Sequence, residues 1–207
     1  MKIGLKIDGS KALRNLAKDI RRFPEQAAAA GMAAANDVAE LVMTAAPRDI
    51  TQRLNLPPTY IRDKFVLYKA KRVIDQAVVA ARKHPTRLAR FAVQQLTTDV
   101  KHPARSKGDV LRGIPAGKKA AGVSVKVLRS GQRKRMPGSF LLPLRAGKID
   151  GGNGMGLFWR WQKDIEHEYG PSPDQEFSYW IGKNQAKFDA LLIQAYRSRF
   201  AREMKRK

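Results

Sequence analysis

Apolar positions along this chain change their spacing, and the changes divide it into helical and extended stretches. Residues 2–7 (KIGLKI) alternate apolar and basic side chains, the period of a short strand. Asp8 and Ser10 then offer N-caps, and Leu13, Leu16, Ile20 and Phe23 recur at helical spacing. Pro24 suits the first turn of a second helix, where no backbone N–H is needed. Along that helix Ala27, Ala30, Ala34, Val38, Leu41 and Ala45 fall three and four apart. They predict a stripe of small side chains packed closely against a sheet or another helix. Pro47 predicts the end of the helix, so 8–46 reads as one helical region. Arg48–Asn55 and Thr59–Phe65 read as short helical pieces on either side of Pro57 and Pro58.

Beyond them the period shortens. AVVAA (77–81) and GVSVKVL (122–128) read as strands, the latter with Val123, Val125 and Val127 on one face. Ser139–Leu144, Leu157–Trp161 and Ile165–Tyr169 complete the strand set, and GKIDGGNGMG (147–156) reads as a hairpin loop. Phe177, Ile181, Phe188, Leu192 and Ala195 give one face of a C-terminal helix over 173–207, with Asp174 as its cap. The basic end of that helix, RSRFAREMKRK, suits the negative pole of the helix dipole. Together these predict an α+β fold in a single domain over 1–207. A mostly antiparallel curved sheet (77–170) is packed by the long Ala-rich N-terminal helix and carries a basic insertion at 97–121.

Composition narrows the classes of function. Among 207 residues, 43% are hydrophobic, enough for an ordinary globular core. The absence of cysteine excludes disulfides and thiolate metal sites. His84, His102 and His167 stand far apart, none with a partner at ligand spacing, so no metal or other cofactor is expected. The N-terminus lacks a signal-peptide apolar segment, and no apolar run approaches the roughly 20 residues of a membrane span. The expectation is a soluble, basic protein made in the cytoplasm, with no membrane partner.

Charge changes the picture more. The chain carries a formal net +23, and Arg82–Arg135 alone holds 15 Lys and Arg against Asp99 and Asp109, a net +13. More than half the excess thus lies in about a quarter of the chain, between stretches that look ordered. Lys101, Arg105, Lys107, Arg112, Lys118, Lys119, Arg129, Arg133, Lys134 and Arg135 are the candidates for contact with DNA or an acidic partner. No aromatic residue stands between Phe91 and Phe140, so base stacking has no platform there, and no helix-turn-helix or zinc-finger signature is present. A nucleic acid would be met at its backbone. Charge alone does not separate that reading from a solvated loop or a patch for an acidic protein.

Catalysis has thinner support. Asp164, Glu166 and Glu168 alternate on one face of a candidate strand, with His167 on the other. A solvated or partner-facing strand edge accounts for them better. No Gly-rich phosphate loop, nucleophile elbow or HExxH is present, and the chain reads as non-enzymatic. The aromatics Phe158, Trp159, Trp161, Tyr169, Phe177, Tyr179 and Trp180 cluster in the last third. Adjacent pairs among them cannot all face inward, so some are expected at an interface.

The order of several pieces is also informative. AAANDVA (33–39) is followed by ARKHPTRLARF (81–91), a basic bridge, RMPGSFLLPL (135–144), GLFWR (156–160) and EYGPSPDQEF (168–177). Over about residues 10–200 this series resembles the minor tail protein Z family of lambda-like tailed phages. The most specific pieces are Pro137–Phe140 and the YGPS turn at Tyr169–Ser172. The chain departs from that pattern in a longer acidic strand (Asp164–Glu168) and a longer bridge (Thr97–Ala121). The resemblance implies a tail-completion protein of the virion, assembled in the host cytoplasm and located at the head-proximal end of the tail. It implies a homo-oligomeric ring, hexameric by match to the tail tube, that supports head–tail joining and genome delivery. Its partners would be the tail terminator and neighbouring tail or neck proteins, with genomic DNA or the tape measure protein facing the basic insertion. Ser139, Phe140, Trp159, Tyr169, Pro171 and Phe177 are then the candidate interface. A free, sequence-independent nucleic-acid-binding protein is the alternative class.

Overall fold

A computed structural model of the chain describes residues 18, 20–144 and 154–205. The strand expected at 2–7, most of the helix through Leu13 and Leu16, and most of the 147–156 hairpin loop lie outside the described residues. The fold is α+β, with antiparallel sheets, a long N-terminal helix and a C-terminal helix. Helix α1 spans Pro24–Arg53 and α2 spans Pro58–Arg62. Among the described residues ten strands follow: β1 Phe65–Tyr68, β2 Val78–Ala81, β3 Thr86–Arg87, β4 Gln94–Asp99, β5 Lys118–Val125, β6 Lys134–Met136, β7 Ser139–Pro143, β8 Met155–Trp161, β9 Asp164–His167 and β10 Tyr169–Gly170. Helix α3, Pro173–Lys205, ends the described chain. Among the described residues the strands form four small sheets, β1-β2, β10-β3, β4-β5-β6 and β7-β8-β9, in place of one curved sheet.

The chain divides into two compact units. The first holds the residues through Arg48, Arg62–Arg82 and the chain from Asp174; the second holds Asp49–Ile61 and Lys83–Pro173.

In the first unit the alanine stripe does what its spacing predicts. Ala27, Ala30 and Ala34 are buried with Tyr196 of α3, and Leu192, Ala195 and Phe200 pack against them. Further along α1 the stripe runs through Val38, Val42 and Ala46, while Leu41 is half exposed. Repeated steps of four follow the buried face, so Val42 and Ala46 take the places expected for Leu41 and Ala45. Pro47 does not end the helix. It forfeits one intrahelical bond, to the carbonyl of Met43, and α1 continues to Arg53 because Ala46 and Ile50 stay buried. Two adjacent polar residues clamp the helix. Asn36 exchanges two hydrogen bonds with the backbone of Ala70, at 2.9 and 2.8 Å. Asp37 accepts a forked pair from Arg199 of α3, at 2.7 and 2.6 Å. In α3 itself Pro173 stands first, with Asp174 inside the first turn and not at the cap. Phe177 is fully buried, edge-on to Phe65 at 5.3 Å and stacked with Trp180 at 6.2 Å.

In the second unit Phe91, Leu54, Leu56, Ile61, Leu157 and Val123 are the largest apolar side chains with almost no exposure. The expected strand at 122–128 starts and stops earlier, at Lys118–Val125, because β4 pairs with its first half from Thr97↔Ala120 to Asp99↔Lys118.

Candidate functional site: a basic arm with an apolar tip

The stretch read as a basic insertion is an ordered arm of the second unit. Its stem is the antiparallel β4–β5 pair, and its head is the connection 100–117. That connection is long, and long ordered connections in compact folds are commonly functional. It is held by its own backbone. The Val100 amide donates to Gly117 at 3.2 Å, the Gly117 amide to Ser106 at 3.1 Å, and the Ser106 hydroxyl to Lys118 at 3.2 Å. Gly108 has φ +70°, and a Cβ there would lie 2.5 Å from the Ile114 carbonyl oxygen, so only glycine lets the two passes of chain approach.

At the tip, Asp109 and Ile114 exchange backbone hydrogen bonds of 2.7 and 2.8 Å, and the Gly113 amide donates to Val110 at 3.1 Å. Asp109 braces the turn a second time by accepting from the Arg112 amide at 3.1 Å and from Arg112 Nε at 2.6 Å. The Arg112 guanidinium holds the Asp109 carboxyl below the ordinary carboxylate range. Ile114 is buried beneath the turn, while Val110 is 94% and Leu111 77% exposed. The pattern DVLRG carries this knob between two turn-forming residues, in a segment otherwise poor in apolar side chains.

The ten basic candidates divide by use. Arg129 donates Nε to the carbonyls of Thr51 and Leu54 at 2.8 and 3.1 Å, and Nη2 to Leu56 at 3.2 Å. These oxygens lie at and just beyond the C-terminus of α1, where helix carbonyls lack intrahelical partners. Arg133 donates to Ala92, whose φ of 46° is left-handed, and to the Ser124 carbonyl, at 2.6 and 3.2 Å. Arg112 is engaged by Asp109, and Lys118 lies 3.4 Å from Asp99. Lys101, Lys107, Lys119, Lys134 and Arg135 are exposed. Arg105 lies in a short 3-10 turn of the arm, Pro103–Arg105.

The interface candidates divide as well. Tyr169 is half exposed, while Phe140, Trp159 and Pro171 are partly buried. Ser139 and Phe177 are interior and offer no side-chain surface to a partner in this fold. The two most specific sequence pieces hold the unit together. A Cβ on Gly138 would sit 2.5 Å from the Trp159 ring, and one on Gly170 would sit 2.6 Å from the buried Phe91 ring. Both glycines let an aromatic ring approach the backbone more closely than a side chain would allow.

Asp164 and Glu166 sit opposite Trp161 and Trp159 on β9, and both are exposed; Glu168 follows the strand. Among the described residues no group of three His, Asp or Glu is arranged to hold a metal ion. His167 lies between Phe158 and Tyr169, with ring centroids 4.6 and 4.5 Å away. Burial, and then the positive charge of Arg87, push its pKa down. In the first unit, α1 and α3 flank a groove of about 610 Å³ lined chiefly by Ala28, Gly31, Ala35, Val38, Ile181 and Phe188. Among the described residues no helix is long and apolar enough to cross a membrane. Compared with protein-family models, curated proteins and solved structures, the chain matches none.

Proposed function

We propose that the protein is a structural component of a phage tail, a tail-completion protein that forms a ring at the head-proximal end. The observation that carries the reading is how the resemblance-bearing residues are used. Asn36 and Asp37 clamp α1, Gly138 and Gly170 seat aromatic rings, and Leu88, Ala89 and Phe91 fill the core of the second unit. These residues hold a scaffold and leave the basic arm, Tyr169 and Trp161 outward. A ring would repeat that arm around an axis, where its charge would face DNA, the tape measure protein or an acidic neighbour.

The test is assembly. Co-expressed with a tail terminator and major tail protein, the chain is expected to co-purify with tails and occupy one end, with six-fold symmetry by electron microscopy. A monomer that associates with no tail component overturns the reading. A second reading, a free sequence-independent nucleic-acid-binding protein, draws on the same exposed arm. It predicts tight, salt-sensitive binding to duplex DNA or structured RNA, with no association with tails.

A further inference from the structure

We infer that the arm of residues 94–125 binds duplex DNA along a groove, with its cations on phosphates and Val110 and Leu111 pressed between base steps at the tip. Four features of the arm support this. Each of its two acids has a cation of the arm beside it, Lys118 near Asp99 and Arg112 on Asp109, and the remaining cations give the arm its net positive charge. Lys101, Lys107 and Lys119 remain exposed along the stem and head. The outer part of the stem, Thr97–Asp99 paired with Lys118–Ala120, is a two-stranded β-ribbon beyond the reach of β6, slender enough to enter a DNA groove. Two aliphatic side chains stand largely in solvent on a turn braced by three backbone hydrogen bonds and by two more that the Asp109 carboxylate accepts from Arg112. A rigid apolar wedge on a basic ribbon can separate stacked bases at little ordering cost to itself, because its conformation is fixed beforehand.

The distribution of charge favours DNA over the other polyanions. A flat layer of anionic headgroups would meet the tip alone, and two aliphatics with the nearby cations make a weak anchor. Here the cations run back from Lys107 in the head to Lys101 and Lys119, where the head joins the outer end of the β4–β5 stem. Phosphates lining a groove meet that spacing along its length. An acidic protein would satisfy the lysines, but it would not by itself need a braced aliphatic wedge.

The inference names the target of the arm within the proposed function, and its test is independent of tail assembly. Loss of DNA binding would leave ring formation standing, and failure of the ring would leave DNA binding standing. The intact protein is titrated against a 30-bp A·T-rich duplex carrying 2-aminopurine, at several salt concentrations. Vesicles rich in phosphatidylserine and polyglutamate serve as competing probes. The parent is expected to bind the duplex most tightly and to raise 2-aminopurine fluorescence. Lys101→Ala/Lys107→Ala/Lys119→Ala should make the log–log salt slope shallower by about 2–3. Val110→Ser/Leu111→Ser should weaken binding about tenfold, leave the slope unchanged and abolish the fluorescence rise. Both variants alter exposed side chains, and an unchanged circular dichroism spectrum confirms their fold. Tighter binding to vesicles or polyglutamate than to duplex, an unchanged slope in the lysine variant, or parental affinity in the tip variant overturns the inference.

Discussion

Arg129 and Lys107 belong to one basic stretch, yet their charges meet different surroundings. Arg129 turns its guanidinium onto three carbonyls at the end of α1, contributed by residues more than 70 positions earlier in the chain. Lys107 stands in solvent on an arm whose acids are engaged elsewhere. A planar fork with five donors can satisfy several fixed oxygens at once, whereas an ammonium on a flexible stem keeps its hydration. Net charge therefore overstates what the stretch presents outward. Part of it is spent on the backbone of the second unit, and the part left for a partner is concentrated on the arm.

The largest effect that can break this comparison is at Arg129. Arg129→Ala leaves carbonyls around the α1 terminus without their donor and should cost about 1–3 kcal/mol of stability in urea unfolding. Arg129→Lys should recover only part of it, since one ammonium cannot reproduce the fork. If Arg129→Ala unfolds at the parental midpoint, Arg129 belongs with the outward charges and the contrast fails.

Arg133→Ala comes next, at about 1 kcal/mol. It removes the donor to Ala92 and Ser124 but leaves the β5–β6 pairing in place. Amide exchange should rise around Ala92 and Ser124 and not at the arm tip. A change confined to the tip would put Arg133 on the outward side of the comparison.

Little of this division was legible in the sequence. The α+β class, the buried alanines from Ala27 to Ala34 and the placement of β7 and β8 follow from periodicity, because local spacing determines which face is buried. The uses of Arg129 and Arg133 do not, since their acceptors are backbone oxygens that only the fold brings close. Pro47 misled in the other direction: its local cost is one hydrogen bond, and burial on both sides of it outweighs that cost. At the arm, charge density was readable but the knob was not. Val110 and Leu111 look like ordinary apolar residues until the Asp109–Ile114 bridge turns them outward.

Acid adds a charge of the internal kind and so tests the contrast without mutation. His167 ordinarily titrates near 6.5, and its folded value is lowered first by burial and then by Arg87. Its Nε2 is buried with no hydrogen-bond partner among the described residues, so a proton placed there meets no acceptor. The unfolded chain therefore binds the proton more readily, and folding stability rises with pH between the folded value and 6.5. The contribution is complete above 6.5 and is lost as pH falls through the folded value. His167→Phe should flatten that part of the stability profile while the arm's salt response stays unchanged. A profile equally steep in the variant would assign the acid sensitivity to another group.

The smallest effect on stability is expected at the arm, and it is the most discriminating. Lys101→Ala/Lys107→Ala/Lys119→Ala removes three charges from the stretch that contains Arg129, yet none of them holds a backbone oxygen among the described residues. Exposed substitutions of this kind usually stay within about 0.5 kcal/mol, and reduced self-repulsion in a chain of net +23 pushes the balance slightly toward stability. Unfolding in low salt should therefore be unchanged or marginally later, although the variant has lost as much charge as a triple arginine deletion would remove. A clear loss of stability would mean that the arm lysines also support the fold, and charge removed from either end of the stretch would then be equivalent.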